Sequence, residues 1–280
     1  MRCLTPPAWL RCGEHFVSSL FLPLMLAILA WFVSTGAILW LDRRPASTHP
    51  ASLVGATIVA AVAFAAVLVS AESDSAASVY VAFLATLAIW GWHEMSFLMG
   101  FVTGPRRLPC PEGVTGWRRF RFATATLIHH EIALAVTAAV LIIISWGQPN
   151  PIAGLTFLLL FVMRLSTKFN IFLGVPHLAD DMMPPQLAYL KSYFRKGRIS
   201  GLMPLSALCC VMLAIVLARG AANAPVGSGE AVGYALLFTL SALAIIEHVF
   251  LIVPFRDSAL WNWAMPEQNQ RKMKGSLNGL

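Results

Sequence analysis

Residues 51–70 read ASLVGATIVAAVAFAAVLVS, and this stretch decides the fold class because none of its side chains is charged. About 20 apolar residues in a helix are long enough to cross the roughly 30 Å hydrocarbon core of a bilayer. Lipid offers no hydrogen bonds to the backbone, so a helix is the expected conformation there. The stretch therefore predicts a transmembrane helix.

The rest of the 280-residue chain has the same character. It is 58% hydrophobic and 12% charged, with a mean hydropathy of +0.72. A soluble domain carries roughly twice that charged fraction, which excludes disorder, a secreted disulfide scaffold and an ordinary cytosolic enzyme. The predicted spans are Phe16–Leu41, Ala51–Ser70, Ala77–Val102, Phe120–Trp146, Ile152–Val175, Gly201–Leu217 and Ala231–Val253. We predict an all-α integral membrane protein, a seven-helix transmembrane bundle. Residues 1–263 form a single polytopic domain and residues 264–280 a flexible basic cytoplasmic tail.

The Lys and Arg residues divide unequally between the two ends of these spans. Of 20, three (Arg2, Arg11 and Arg219) lie at one end, two (Arg164 and Lys168) lie inside span five, and the rest lie at the other end. The positive-inside rule predicts an outer N-terminus and a cytoplasmic C-terminus, which requires an odd number of spans. The net charge of +7 is then a property of the cytoplasmic face, where it attracts anionic headgroups. No nucleic-acid recognition module accompanies the arginines.

The stretch Pro184–Ser200, PPQLAYLKSYFRKGRIS, lies between spans five and six. Leu187, Leu190 and Phe194 recur at helical spacing between basic residues, which predicts a short interfacial amphipathic helix. Two roles remain open for it: an anchor at the membrane surface, or a docking face for another membrane subunit.

Ionisable groups inside four spans are the main functional signal. Each costs about 2.5–3.5 kcal/mol at the centre of a bilayer and therefore needs a reason. The polar groups are His93 and Glu94 in span three, His129, His130 and Glu131 in span four, Arg164, Lys168 and Asn170 in span five, and Glu247 and His248 in span seven. With alternating span directions they fall roughly 10–15 Å from the cytoplasmic boundary. The sequence predicts one polar layer, without deciding which of His129 and His130 faces inward.

Three interpretations of this layer stay open. The first is a buried ion-pair network that fixes helix packing. The second is a ligand or pigment site with a histidine as axial ligand, and the third is a catalytic metal site. The ion-pair candidates are Glu94, Glu131 and Glu247 against Arg164, Lys168 and a protonated histidine. The axial candidates are His93, His130 and His248. The chain has neither the Glu-x-x-His pairs of di-iron bundles nor the HExxH zinc motif.

Four blocks of the sequence resemble one bacterial family. They are WGWHEMSFLMGFVTGPRR, FRFATATLIHHEIAL, RLSTKFNIFLGVPHLADDMMPPQLAYLKSYF and AIIEHVFLIVPF. Together they are similar to the photosynthetic complex assembly protein 2 family, the product of the E gene in the Puh photosynthesis cluster. The resemblance covers roughly Phe16 to Trp263.

This resemblance implies a multi-pass protein of the bacterial cytoplasmic (inner) membrane, including the intracytoplasmic photosynthetic membrane. Such a protein supports assembly of the reaction centre and its light-harvesting antenna and influences bacteriochlorophyll supply. The implied partners are reaction centre or light-harvesting subunits, other assembly factors and membrane lipids. No catalytic residue comes with the family, which argues against an enzyme. The alternative is a membrane-embedded metal-dependent or acid/base enzyme acting on a bacteriochlorophyll precursor.

The candidate site residues are those of the polar layer that fall within the four blocks. Bacteriochlorophyll is their candidate ligand. These residues are His93, Glu94, His130, Glu131, Lys168, Asn170, Glu247 and His248.

Overall fold

The computed structural model describes residues 8–178, 183–254, 260–261 and 263–264, with side chains from residue 20 onward. Within these residues the chain is helical and forms no β-strand. The α-helices are α1 (Ala8–Asp42), α2 (His49–Ala71), α3 (Ala76–Leu98), α4 (Gly116–Ala125), α5 (Ile128–Ser145), α6 (Ile152–Leu173), α7 (Leu202–Asn223) and α8 (Gly229–Phe250). Two 3₁₀ helices lie at Ala46–Thr48 and Pro185–Tyr193.

All of these α-helices except α4 are long and apolar enough to cross a membrane. The predicted all-α fold with seven spanning helices is therefore confirmed. The orientation of the termini stays a prediction, since it depends on the distribution of charge alone.

Three helix pairs build the bundle: α2 packs against α3, α5 against α6, and α7 against α8. The helices α3, α6 and α8 contact one another at the centre, and α1 lies against α3 and α8. Phe83, Phe157 and Leu236, one from each central helix, are fully buried in the main apolar core. Side chains from these three helices therefore meet in the interior.

The start of the fourth span differs from the prediction. We predict it at Phe120, but a separate helix, α4, occupies 116–125 and the spanning helix α5 begins at Ile128. The loop after α3 causes the break. Its Arg106 N–H donates to the Ala125 carbonyl, and its Thr103 carbonyl accepts from the His130 N–H, a group that the first turn of a helix leaves unpaired. A Cβ on Gly104 would lie 2.3 Å from the Ala125 oxygen, so only glycine lets the loop approach this closely.

The predicted amphipathic helix at Pro184–Ser200 is also corrected. The structure has a 3₁₀ helix over Pro185–Tyr193. With three residues per turn, Leu187, Leu190 and Tyr193 share one face, and all three are buried. This segment therefore packs its apolar side onto the bundle. The strongly amphipathic helix at this end of the bundle is α4, between the third and fourth spans.

A short piece of the C-terminal segment returns to α1. The Trp261 ring stacks on Phe32 with 4.6 Å between ring centroids, and Ala264 is buried beside Leu39. The predicted tail, 264–280, lies outside the described residues apart from Ala264.

Candidate functional site

Arg164 of α6 joins three helices of the polar layer. Its Nη1 donates to Glu247 Oε1 of α8 at 2.9 Å, and its Nη2 lies 3.9 Å from Glu94 Oε2 of α3. One guanidinium therefore holds two carboxylates. The Arg164 and Glu247 side chains are 38% and 37% exposed and that of Glu94 is 13% exposed, so this pairing is only partly buried.

Lys168 joins α6 to a fourth helix. Its Nζ donates to Glu131 Oε1 of α5 at 2.5 Å. Arg164 and Lys168 are four residues apart and so share a helix face, as their spacing predicts. Three carboxylates face two cations, which leaves a formal charge of −1 when the histidines are neutral. The ion pairs of Arg164 and Lys168 therefore join α6 to α3, α5 and α8.

The structure decides which histidine of the adjacent pair faces inward. The side chain of His130 is fully buried, whereas His129 is exposed. The His130 ring stacks on Phe97 of α3 with 4.5 Å between centroids. Neither ring nitrogen of His130 has a hydrogen-bond partner within the described protein.

Three further atoms of the polar layer share this condition, as do Asp42 Oδ2, Thr156 Oγ1 and the Tyr189 hydroxyl outside it. The three atoms of the layer are His93 Nδ1, Glu94 Oε1 and Glu131 Oε2. A buried polar atom without a partner typically costs about 1–3 kcal/mol, so such atoms are rare in native proteins. In the polar layer, the nitrogen and oxygen atoms without a hydrogen bond therefore belong to four of the candidate residues: His93, Glu94, His130 and Glu131.

The other candidates are saturated by local contacts. His248 Nδ1 must donate to the Ala244 carbonyl at 2.8 Å, so in the neutral ring Nε2 accepts from the Ser166 hydroxyl at 3.0 Å. Asn170 Nδ2 donates to the Ser166 carbonyl and to Ser206 Oγ of α7, each at 3.0 Å. These contacts bind α6 to α7 and α8. His248 and Asn170 therefore differ from His93, Glu94, His130 and Glu131, because the ring nitrogens of His248 and the amide nitrogen of Asn170 already have hydrogen-bond partners.

His93 stands between the two groups. Its Nε2 lies 2.9 Å from the Thr137 hydroxyl of α5, while Nδ1 has no partner. Its ring also meets Phe157 of α6 edge-on at 5.8 Å. His93 therefore fixes the spacing of α3, α5 and α6 and still presents one free nitrogen.

The layer lies closer to the helix ends than the sequence predicts. His130 is in the first turn of α5, because the fourth span begins eight residues later than expected. Glu247 is three residues from the end of α8, and Arg164 is nine from the end of α6. At 1.5 Å per residue, the layer occupies roughly 3–14 Å from these ends, in place of the predicted 10–15 Å.

The Pro185–Tyr193 segment covers this end of the layer. Leu187 and Leu190 pack on Phe97, the residue on which His130 stacks. Gln186 Nε2 donates to Asp42 Oδ1 of α1 at 2.9 Å and to the Leu98 carbonyl of α3 at 2.7 Å. The cover is thus tied to two spanning helices and explains why His130 has no exposed surface.

The histidines fit axial ligation poorly in this arrangement. His93, His130 and His248 are 4%, 0% and 1% exposed, so a flat macrocycle has no access to any of the three rings. Ligation through His248 Nε2 would also displace the Ser166 hydroxyl from that nitrogen. Among the described residues, no three His, Cys, Asp or Glu side chains are placed to hold a metal ion together. The arrangement is suited to holding four helices together and to binding a proton or another small polar species.

Seven apolar helices joined through a layer of ion pairs define a multi-pass helical membrane protein. The chain belongs to the family described as "Protein of unknown function (DUF3623)", which matches residues 17–272. It is similar to a protein of Rhodobacter capsulatus described as "Uncharacterized 30.4 kDa protein in puhA 5'region". The two are 36% identical over 246 residues, which cover 86% of this chain and 89% of that protein. No solved structure matches the chain.

Proposed function

We propose that this chain is an integral membrane factor that supports assembly of the photosynthetic reaction centre and its light-harvesting antenna. The relative's printed name refers to the puhA 5' region, which agrees with the resemblance to the photosynthetic complex assembly protein 2 family. The membrane would be the bacterial cytoplasmic membrane and its intracytoplasmic extensions, with the N-terminus outside. Bacteriochlorophyll supply would be the process that the factor influences.

One structural observation supports a non-catalytic role above the others. Each acidic residue of the polar layer is engaged by a cation of α6: Glu94 and Glu247 by Arg164, and Glu131 by Lys168. A general acid or base needs a carboxyl group that is free to exchange a proton with its substrate. Carboxylates that are paired with cations across four helices are suited to stabilising the packing of the bundle.

In this proposal the layer fixes the shape of the bundle, and the basic segments at the same end contact the partners. Arg118, Arg121 and Lys191 are exposed there. The partners would be reaction centre or light-harvesting subunits and other assembly factors. A rigid bundle can present such a surface reproducibly, because the ion pairs remove alternative helix registers.

The test is complementation of a phototrophic host that lacks the gene. We expect Glu94→Gln and His130→Phe to lower the absorption of the assembled reaction centre and antenna, while late pigment precursors stay at their normal level. Glu72→Gln is the matched control, since Glu72 is exposed at the opposite end of the bundle. Accumulation of a pigment precursor in the Glu94 or His130 variant would contradict the proposal.

A second candidate function is an acid/base or metal-dependent membrane enzyme acting on a bacteriochlorophyll precursor. The unpaired atoms of His93, Glu94, His130 and Glu131 favour it, because free nitrogen and carboxylate atoms are what proton transfer or ligation requires. An absorption spectrum and a metal analysis of the protein purified in mild detergent separate the two candidates. Stoichiometric pigment lost with His130→Phe would indicate pigment handling, and bound iron or zinc would favour the enzyme.

A further inference from the structure

Helix α4 has two faces with different surroundings. At 100° per residue, Trp117, Phe120, Arg121 and Thr124 lie on one face and Arg119 on the other. The Arg119 guanidinium is partly buried and turned toward the bundle: Nη1 donates to the Phe172 carbonyl at 3.1 Å and Nη2 to the Tyr193 carbonyl at 2.6 Å. Burial lowers the pKa of this guanidinium from its ordinary value. The face that carries Arg121 is therefore the outer face of α4.

An open pocket of about 360 Å³ lies on this outer face, and we call it the α4 pocket. Its lining includes Pro105, Trp117, Phe120, Arg121, Thr124 and Ile128. The floor is apolar and aromatic and its lining surface is almost wholly apolar, so Arg121 lines it with its aliphatic stem while the residue as a whole remains exposed. Since Ile128 is the first residue of the spanning helix α5, the pocket lies at the end of the fourth span.

An apolar stripe runs from this pocket along α5. Ile132, Val136, Val140 and Ile143 are 54%, 56%, 40% and 72% exposed. They follow Ile128 at spacings of three and four residues, so they share its helix face. The stripe continues the apolar floor of the pocket over most of the length of the span.

The charge near the pocket favours an anion. Five arginines and one acidic residue, Glu112, occupy residues 104–127. The exposed Arg118 and Arg121 take no part in the ion pairs of the polar layer. Trp117, which is 70% exposed and stacked on Phe120 at 4.9 Å, is an aromatic side chain of the kind enriched at headgroup depth.

We propose that the α4 pocket binds an anionic phospholipid. The lipid phosphate pairs with Arg121, the glycerol region lies on the Trp117–Phe120 stack, and an acyl chain follows the exposed stripe of α5. The cation, the aromatic floor of the pocket and the apolar stripe follow one another in the order in which a phospholipid presents phosphate, glycerol and acyl chain.

The experiment uses the full chain in phosphatidylcholine vesicles that contain brominated phosphatidylglycerol or brominated phosphatidylcholine. Bromine quenches nearby tryptophan fluorescence, and the difference between the wild type and Trp117→Phe isolates Trp117 from the other eight tryptophans. We expect phosphatidylglycerol to quench Trp117 preferentially. Arg121→Gln should lower this preference about fivefold, because the charge-assisted contact with the lipid phosphate is lost.

Lys191→Gln is the matched control, because it removes one exposed charge at the same end of the bundle outside the pocket. It should retain the wild-type preference. Equal quenching by the two lipids, or an equal loss in the Lys191 and Arg121 variants, would overturn the assignment. If Arg121→Gln altered the oligomeric state in detergent and left the lipid preference intact, the occupant would be a second copy of the chain and the lipid assignment would fail.

Discussion

Helices α2 and α8 have nearly the same length and occupy opposite environments. Of the apolar stretch that contains α2, 17% of the residues are buried, against 61% for α8. Yet α2 has no acidic or basic residue beyond His49 at its start, while α8 carries Glu247 and His248 in its last turns. The helix with ionisable groups is the one in the interior.

The comparison extends to α3 and α6, which also carry ionisable groups and whose apolar stretches are 39% and 44% buried. It does not extend to α5, whose ionisable groups lie in its first turn and whose stretch is 28% buried, the same as that of α7. Lipid solvates valine as well as a protein core does, so an apolar helix gains little by moving inward. An ionisable side chain gains much more, because the interior supplies a counter-charge that lipid lacks. The central position of α8 and α6 therefore follows from their polar groups, and the outer position of α2 from having none.

The largest test of this comparison is Arg164→Met. Two carboxylates lose their cation, but Arg164 and Glu247 are each more than a third exposed, so we expect the free energy of unfolding to fall by about 4 kcal/mol, below the upper end of the range for a buried pair. Equilibrium unfolding in detergent, followed by helical circular dichroism, measures it. Arg219→Met is the control: Arg219 is exposed on α7, and its loss should change stability by less than about 0.5 kcal/mol. Equal small losses in both variants would show that the layer does not determine the packing.

Lys168→Met should have the next largest effect. It leaves one carboxylate, Glu131, without its cation, so we expect a loss of about 3 kcal/mol. Adding Glu131→Gln removes the stranded charge and should restore part of the stability. The same unfolding assay on both single variants and the double variant closes a thermodynamic cycle. Additive losses would mean that the two side chains do not interact.

A pair of glycine substitutions compares the two helices directly. A Cβ on Gly229, at the start of α8, would lie 1.9 Å from the Asp74 carbonyl oxygen, whereas a Cβ on Gly55 of α2 meets nothing within 4 Å. We expect Gly229→Ala to destabilise the fold by about 1–3 kcal/mol through overpacking. Gly55→Ala should stabilise it by up to about 1 kcal/mol, because alanine favours the helix. Thermal unfolding of the two variants side by side measures both, and equal shifts would contradict the packing described for α8.

The smallest effect is expected for Val62→Ala on the outer face of α2. Val62 is 66% exposed, so stability should change by less than about 0.5 kcal/mol. The measurement is the midpoint of unfolding in detergent and again in vesicles prepared from the host membrane. A clear loss confined to the host membrane would reveal a partner that covers α2 there, and would sharpen the comparison.

The sequence is informative where a residue's own chemistry decides the outcome. Seven apolar runs predict seven helices, because any such run must satisfy its backbone internally in lipid. The acidic and basic members of the polar layer are also predictable, since each charge in a span needs a partner. Who pairs with whom is not predictable: Arg164 bridges Glu94 and Glu247 while Lys168 takes Glu131, and this depends on helix rotation.

The errors occur where tertiary contacts override local pattern. Phe120 and Phe122 extend the apolar run of span four, but hydrogen bonds from the loop after α3 end α4 at Ala125 and start α5 at Ile128. Pro184–Ser200 reads as an amphipathic α-helix, yet its side-chain bonds to Asp42 and the Leu98 carbonyl hold it as a 3₁₀ helix over the bundle end.

The sequence by itself determined the membrane class, the seven spans and the set of ionisable groups, because composition and run length fix how a segment partitions into lipid. Only the tertiary structure decided that His130 is buried and His129 exposed, and which cation meets which carboxylate. It also decided that the outer face of α4 forms a pocket. These outcomes depend on how helices rotate and approach one another, and that geometry is a property of the packed bundle.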